Sequence, residues 1–377
     1  MSGRYEQVHI GRRWALVAAG VALLGGLPVI ASALPVSVPR VTASQLRARI
    51  LASADEPYAG YAESNATFGL PPVAGLTGLT SLLDGATKMR VWQAAPDRWR
   101  VDVLSDAGER DSYQLGGYRS YIWDSGDQLL TEVRGPQTYR LPRPADLVPP
   151  ALALRLLSEA GRRASYRVIA PVRVAGRSAA GLRVTPTDPA STIGRVDVWA
   201  DPASGLPLLV EIFGRGPGRP ALKSQFFQVS TWHPEQRTLT PVRAAGTGFT
   251  VTRPGNLAGA LSNLSLVVLP AELGGRNRQP VQPGFEEIGV YGGGLSTFVV
   301  LGVRGSDGRN LIPDAISAGG TPLGMASGPG VVISAPLVNA IIFRPAGFFV
   351  TFLLAGTVST GVLEQAATDL AELVTLS

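Results

Sequence analysis

The sequence predicts a mainly β chain of the α+β class: one large curved antiparallel sheet with covering helices, followed by a small C-terminal α+β unit. Three observations predict it. Gly194 to Phe213 reads as a β-hairpin, with Val196, Val198 and Ala200 alternating with Arg195, Asp197 and Trp199 before a second alternating run of Leu206, Leu208, Val210 and Ile212. Between the runs, Asp201-Pro202-Ala203-Ser204-Gly205 supplies turn chemistry: Pro presets φ, Asp and Ser bond the local backbone, and Gly accepts a positive φ. Residues 87–133 repeat the strand–turn pattern. Composition agrees, since 45 Gly, 30 Pro and only 16% charged residues in 377 favour strands and turns over a helical bundle.

Residues 1–13 are polar and end in Arg12-Arg13, and Trp14 to Leu34 is an apolar run broken only by Gly, Pro28 and Ser32. As a helix the run would span about 31 Å, close to the hydrocarbon core of a bilayer. It reads either as a signal peptide cleaved near Ala31-Ser32-Ala33 or as a retained anchor with the arginines inside. Both readings place the rest of the chain outside the cytoplasm, at the extracytoplasmic membrane face or in a periplasm.

Thr42 to Asp55 reads as a short amphipathic helix, capped by Thr42 or Ser44, with Leu46, Ile50 and Leu51 as its stripe. Pro57 to Tyr61 turns into the first strand, and residues 69–87 read as a mobile loop or lid. Five strands follow: Met89–Trp92, Trp99–Leu104, Arg110–Leu115, Tyr118–Trp123 and Leu129–Val133, each pair separated by Gly, Pro or Asp. Pro142 to Pro150 reads as a linker and Ala151 to Ala160 as a helix. Strands resume at Ser165–Ile169 and Gly181–Thr185, continue through the hairpin, and end at Lys223–Thr231.

Residues 252–283, rich in Gly, Pro, Asn and Leu, read as a linker. The small unit then has strands at Leu295–Val303, Gly330–Ser334, Ala340–Arg344 and Phe348–Ala355, and a helix over Thr360–Leu373 capped by Thr360. The apolar stretch 331–358 is interrupted by Asn339, Arg344 and two prolines, which favours buried strands over a membrane span. The organisation is therefore 1–34 signal or anchor, 35–251 large sheet, 252–283 linker and 284–377 small unit.

Composition excludes several functions. Without cysteine there is no disulfide, thiolate metal site, cysteine nucleophile or lipidated cysteine. The net charge of +6 is not gathered in one run, so nucleic-acid binding has little support. The histidines are His9, before the apolar run, and His233, in a turn beside Pro234, and no Gly-x-Ser-x-Gly elbow accompanies them. The chain therefore reads as a non-enzyme with no cofactor. Asp102, Asp106, Glu109 and Asp111 offer carboxylates for a metal, but a solvated hairpin end explains them better, so no metal site is assigned. Gly292-Gly293-Gly294 lacks the Lys-Ser/Thr of a phosphate loop.

Several phrases carry a resemblance. Pro96-Asp97-Arg98-Trp99-Arg100-Val101, followed by Gly117-Tyr118-Arg119-Ser120-Tyr121-Ile122-Trp123-Asp124, resembles the LolA-like half-barrel superfamily. Val174-Ala175-Gly176-Arg177 and the Trp-x-Asp-x-x-x-Gly-Leu-Pro-Leu core within Arg195 to Leu208 resemble more specifically the RseB/MucB regulators of sigma-E, and Tyr291 to Phe298 is similar to a strand of that family's small domain. The resemblance covers most of residues 42–377. It implies a half-open barrel whose concave apolar face accepts acyl chains, and a small second domain that helps bind a membrane-bound anti-sigma factor. It implies no catalytic chemistry.

The sequence-level candidates for an acyl trough are Trp92, Trp99, Val101, Val103, Tyr118, Ile122, Val196, Val198, Leu208, Val210 and Ile212. Trp99, Val101 and Val103 share one face of a strand, as the aliphatic residues of the hairpin do. The expected function is that of an exported regulatory binding protein sensing lipid or lipoprotein through such a trough. The alternative is a LolA-type carrier working with an ABC transporter.

Overall fold

The computed structural model describes residues 36–375 apart from 69–81, 83, 107, 136–141, 244–245, 253–266 and 282–286. The apolar run Trp14–Leu34 and most of the expected 69–87 loop lie outside the described residues. No helix among the described residues is long and apolar enough to cross a membrane.

Helix α1 (Ala43–Ala52) opens the fold. Thr42 caps it: its hydroxyl accepts from the Gln45 amide while the Gln45 side chain accepts from the Thr42 amide. Next come β1 (Tyr58–Thr67), β2 (Asp84–Ala95), β3 (Arg98–Ser105), β4 (Gly108–Leu115), β5 (Arg119–Asp124) and β6 (Leu129–Arg134). The expected linker is structured: a single 3-10 turn, Pro144–Leu147, leads into α2 (Pro149–Ala160), where the two prolines fill first-turn positions that need no amide hydrogen. The large sheet is completed by β7 (Ala164–Val174), β8 (Arg177–Pro186), β9 (Ile193–Ala200), β10 (Pro207–Gly214), β11 (Leu222–Ser230) and β12 (Gly248–Thr252).

These twelve strands form one sheet in the order β12-β6-β5-β4-β3-β2-β1-β11-β10-β9-β8-β7. Neighbours are antiparallel except β12, which runs parallel to β6. The sequence reading did not include β12. The central seam is β1, which pairs with β2 on one side and β11 on the other and so joins the meander to the hairpin half. Helices α1 and α2 lie on one face of the sheet, the inner face, and share a core with Ala62, Met89, Leu182, Val196, Val198, Leu208, Val210 and Phe226.

Two contacts show how the hairpin turn is held. The Asp201 carboxylate accepts from the amides of Ala203 and Ser204 at 2.9 and 3.1 Å, which fixes the turn. Gly205, at φ +79°, sits so close to the Arg49 carbonyl of α1 that a Cβ would collide with it. The Arg49 guanidinium in turn donates to the Pro202 carbonyl at 2.5 Å.

After the short pair β13 (Glu272–Leu273) and β14 (Arg276–Asn277), a second sheet is built from β15 (Ile288–Gly293), β16 (Ser296–Val303), β17 (Thr321–Met325), β18 (Gly328–Ser334), β19 (Asn339–Phe343) and β20 (Thr351–Gly356). Its order is β15-β16-β20-β19-β18-β17. The apolar stretch 331–358 is thus three buried strands. Helix α4 (Thr360–Thr375) covers the face bearing Phe298, Val300, Ile341, Phe343, Phe352 and Leu354. Helix α3 (Gly305–Ser317), unforeseen in the sequence, places Ile312 and Ala315 against Val331 and Ile342 on the other face.

The two sheets meet through named bonds. The hydroxyls of Ser191 and Thr192 donate to the carbonyls of Leu295 and Leu337 at 2.8 and 2.6 Å. Arg276 pairs with Asp188 at 2.5 Å, and the Ser296 hydroxyl donates to the same carboxylate at 2.6 Å. Burial opposes ionisation of Asp188, yet these partners hold its carboxyl down to about 2.

Candidate ligand-binding site

Strand register decides which side chains reach the inner face. Val91 stands opposite Val101, Gln93 opposite Trp99, Ser112 opposite Val101, and Ile122 opposite Ser112. Directly paired residues point the same way, so Val91, Trp99, Val101, Val103 and Ile122 share the face that α2 covers. A cavity of about 250 Å³ lies there, between the strand face, the turn before α2 and the first turns of α2 itself. Tyr58, Val91, Trp99 and Val101 form its floor, and Val148, Pro150 and Leu154 its roof. At its rim the Arg143 guanidinium lies 5.1 Å from the centre of the Trp99 ring.

The floor is mostly apolar, with Gln93 as its polar member, and partly open. Val101 is buried, whereas Trp99, Val103 and Ile122 are half-buried, so the inner face stays accessible along β3 to β5. The hairpin half differs. Val196, Val198, Leu208 and Val210 are fully buried and Ile212 nearly so, within the core beneath the helices. A ligand would reach them only if that core opened.

Two sequence candidates do not lie on this face. Trp92 immediately follows Val91 and therefore points to the outer face, where its ring meets the guanidinium of Arg100 at 5.1 Å. There it lines a shallow groove with Tyr61 and Trp232. Tyr118 is 70% exposed in the turn before β5, because Gly116 and Gly117 both take positive φ and carry the chain out of the sheet. Conversely, sequence reasoning missed Tyr58, Val91, Arg143, Val148, Pro150 and Leu154. The apolar alternation of β2 was a usable signal for Val91. Nothing local marks Arg143.

Of the carboxylates expected at a solvated hairpin end, Asp106 is exposed and Glu109 partly so, but the other two are not solvated. Asp102 and Asp111 are buried on the outer face, bonded to Arg100 at 2.6 and 2.9 Å, and Asp106 stands apart from them. Gly292 to Gly294 is a docking turn. The Arg163 side chain lies over it, and a Cβ on Gly293 would collide with the guanidinium. His233 is exposed.

No family model matches the chain, and no curated protein matches it. Among solved structures it is similar to MucB. The complex of Pseudomonas aeruginosa MucA and MucB aligns at 18% identity and a TM-score of 0.47, over 86% of this chain and 96% of that one. A structure of MucB alone aligns at 19% identity, a TM-score of 0.42 and the same coverage. A LolA-superfamily protein from Nitrosomonas europaea aligns at 13% identity and a TM-score of 0.25, over 54% of this chain and 99% of that one. The fold and the cavity described above rest on the chain's own geometry.

Proposed function

We propose that the chain is an exported regulatory binding protein that takes an acyl chain of a lipid or lipoprotein on its inner face and contacts a membrane-bound partner. The observation that carries this reading is the largely apolar cavity under α2, floored by Trp99 and Val101, with the half-buried Val103 and Ile122 further along the same strand face. Burying about ten methylenes at ~0.8 kcal/mol each gives on the order of 8 kcal/mol gross, and ordering costs reduce this to micromolar or weaker affinity. That range suits a sensor. The partner is the anti-sigma factor that the sequence resemblance implies.

The test combines two measurements on the full chain. Lipids extracted from the purified protein should include acyl species by mass spectrometry, and a fluorescent fatty acid should bind and be displaced by them. Cross-linking in cells should then join the chain to a membrane-bound sigma-factor antagonist. Absence of lipid, with no fatty-acid binding at about 100 µM, would overturn the acyl reading. Cross-links to a transporter would replace the regulator with a carrier.

A further inference from the structure

The outer face of the large sheet carries rows of ion pairs, and one has an excess of anions. Asp197 is flanked by Arg183 and Arg195, and Glu132 by Arg119 and Arg134, two cations to one anion in each case. At β2–β4 the ratio reverses. Three carboxylates, Asp102, Glu109 and Asp111, face two guanidiniums, Arg90 and Arg100. One oxygen from each carboxylate lies within 4.8 Å of the others.

The strand register makes this arrangement costly. Asp102 stands directly opposite Asp111 across β3 and β4, and like charges so placed repel. Asp102 is 0% exposed and Asp111 4%, so water does not separate them. Arg100 cannot swing away. Its guanidinium lies 5.1 and 5.0 Å from the ring centres of Trp92 and Tyr113, and it is bonded to both aspartates. Arg90 is committed to Glu109 at 2.5 Å and approaches Asp102 only to 3.6 Å. What remains is a buried oxygen on Asp102, Oδ2, and one on Asp111, Oδ1, each without a hydrogen-bond donor. The Arg90 guanidinium at 3.6 Å from Asp102 Oδ2 is too far to donate, so a proton on one of these carboxyls would supply the missing hydrogen bond.

We propose that Asp102, Glu109 and Asp111 form a proton-binding site in which one hydrogen is shared among the three carboxylates, tying the stability of the large sheet to pH. The neighbouring charges are few. On the same face, β2 adds Lys88, β3 adds Arg98 bonded to Gln236, β1 adds Glu63, and β5 adds Trp123 opposite Asp111. The segment after β11 contributes the Thr238 carbonyl, which accepts from Arg100. None of these supplies a donor to the orphaned oxygens. Burial pushes Asp102 up to about 7 against the pull of Arg100, and burial likewise raises Asp111. For Glu109 burial works the other way from the outcome: bonds to Asp111 and Arg90 bring its carboxyl below the ordinary value. The direction of the linkage follows. A carboxyl whose folded pKa is raised contributes stability that is fully present below its unfolded value, and that contribution is lost as pH rises through the folded value.

The experiment is a carbon-detected NMR titration of aspartate and glutamate carboxyls in the full chain, with denaturant unfolding across the same pH range. One carboxyl signal should titrate near neutrality and disappear in Asp102→Asn. The unfolding equilibrium constant should rise at least about tenfold between about pH 5 and about pH 8 in the unaltered protein, and the dependence should flatten in Asp102→Asn. Should that variant fail to fold, Glu109→Gln at the rim must lower the titration midpoint or remove the step. Titration of all three carboxyls below about pH 5 would overturn the proposal. So would a midpoint that drops when calcium is added, which makes the triad a cation site.

Discussion

Asp188 of the β8–β9 connection and Arg276 of β14 form a 2.5 Å ion pair that ties the large sheet to the β13–β14 pair, with only a quarter of the Asp188 side chain and a fifth of that of Arg276 exposed. Replacing Arg276 by Ala leaves a partly buried carboxylate with the Ser296 hydroxyl and the Ala190 amide as donors. The loss should be about 1–2 kcal/mol. A double-mutant cycle with Asp188→Ala checks it, and independent effects of the two substitutions would contradict the pairing.

The same carboxyl sets an acid limit. Held down to about 2, Asp188 contributes stability that is present above the ordinary carboxylate value and is lost as pH falls through about 2. In denaturant unfolding followed toward acid, the stability difference between the unaltered protein and Asp188→Asn should shrink below about pH 4. A difference that grows toward acid would refute this.

Gly205→Ala tests the hairpin turn. The substitution forces an L side chain into φ +79° and drives its Cβ onto the Arg49 carbonyl. The cost should be about 1–3 kcal/mol, read as a lower unfolding midpoint with an unchanged slope. Gly218→Ala, whose Cβ would meet nothing, serves as the control.

Most of the large sheet was legible because its strands alternate over long runs and its turns carry Gly, Pro and Asp. What was not legible depended on pairing. Trp92 is grouped with Trp99 among the trough candidates, but register puts Gln93 opposite Trp99 and sends Trp92 to the other face. Strand β12 is five exposed residues, without a buried face, that pair in parallel with β6. Helix α3 contains Pro313 and two glycines, so propensity argues against it, and its helical form rests on packing against Val331 and Ile342. The cavity was half legible. Trp99 and Val101 follow from alternation, whereas Arg143 and Val148 arrive from a turn distant in sequence.

The division into two units remains a proposal built on composition, and it predicts where proteases cut. Limited digestion should cleave first within 252–283, outside the paired strands β13 and β14, giving a large and a small fragment that stay associated through the Ser191, Thr192 and Asp188 contacts. First cuts within 90–230 would contradict the boundary.

The last prediction separates a ligand face from a closed core. Val198 and Val210 are fully buried under the helices, so a Glu at either position places an unpaired carboxylate in the core. That should cost more than about 3 kcal/mol and collapse the melting transition whether or not a ligand exists. Those variants therefore cannot report on binding. Val103 and Ile122 can, because they are half-buried on the same face, further along from the cavity. A carboxylate at either site stays hydrated in the empty protein, so the melting transition should move little. Facing an acyl chain it would be desolvated, and binding of a fluorescent fatty acid should weaken by several kcal/mol. Trp99→Ala adds a steric arm: it removes the floor of the cavity and the ring under Arg143. Unchanged fatty-acid binding in Val103→Glu, Ile122→Glu and Trp99→Ala together would remove this face as the acyl site, even if the chain binds lipid elsewhere.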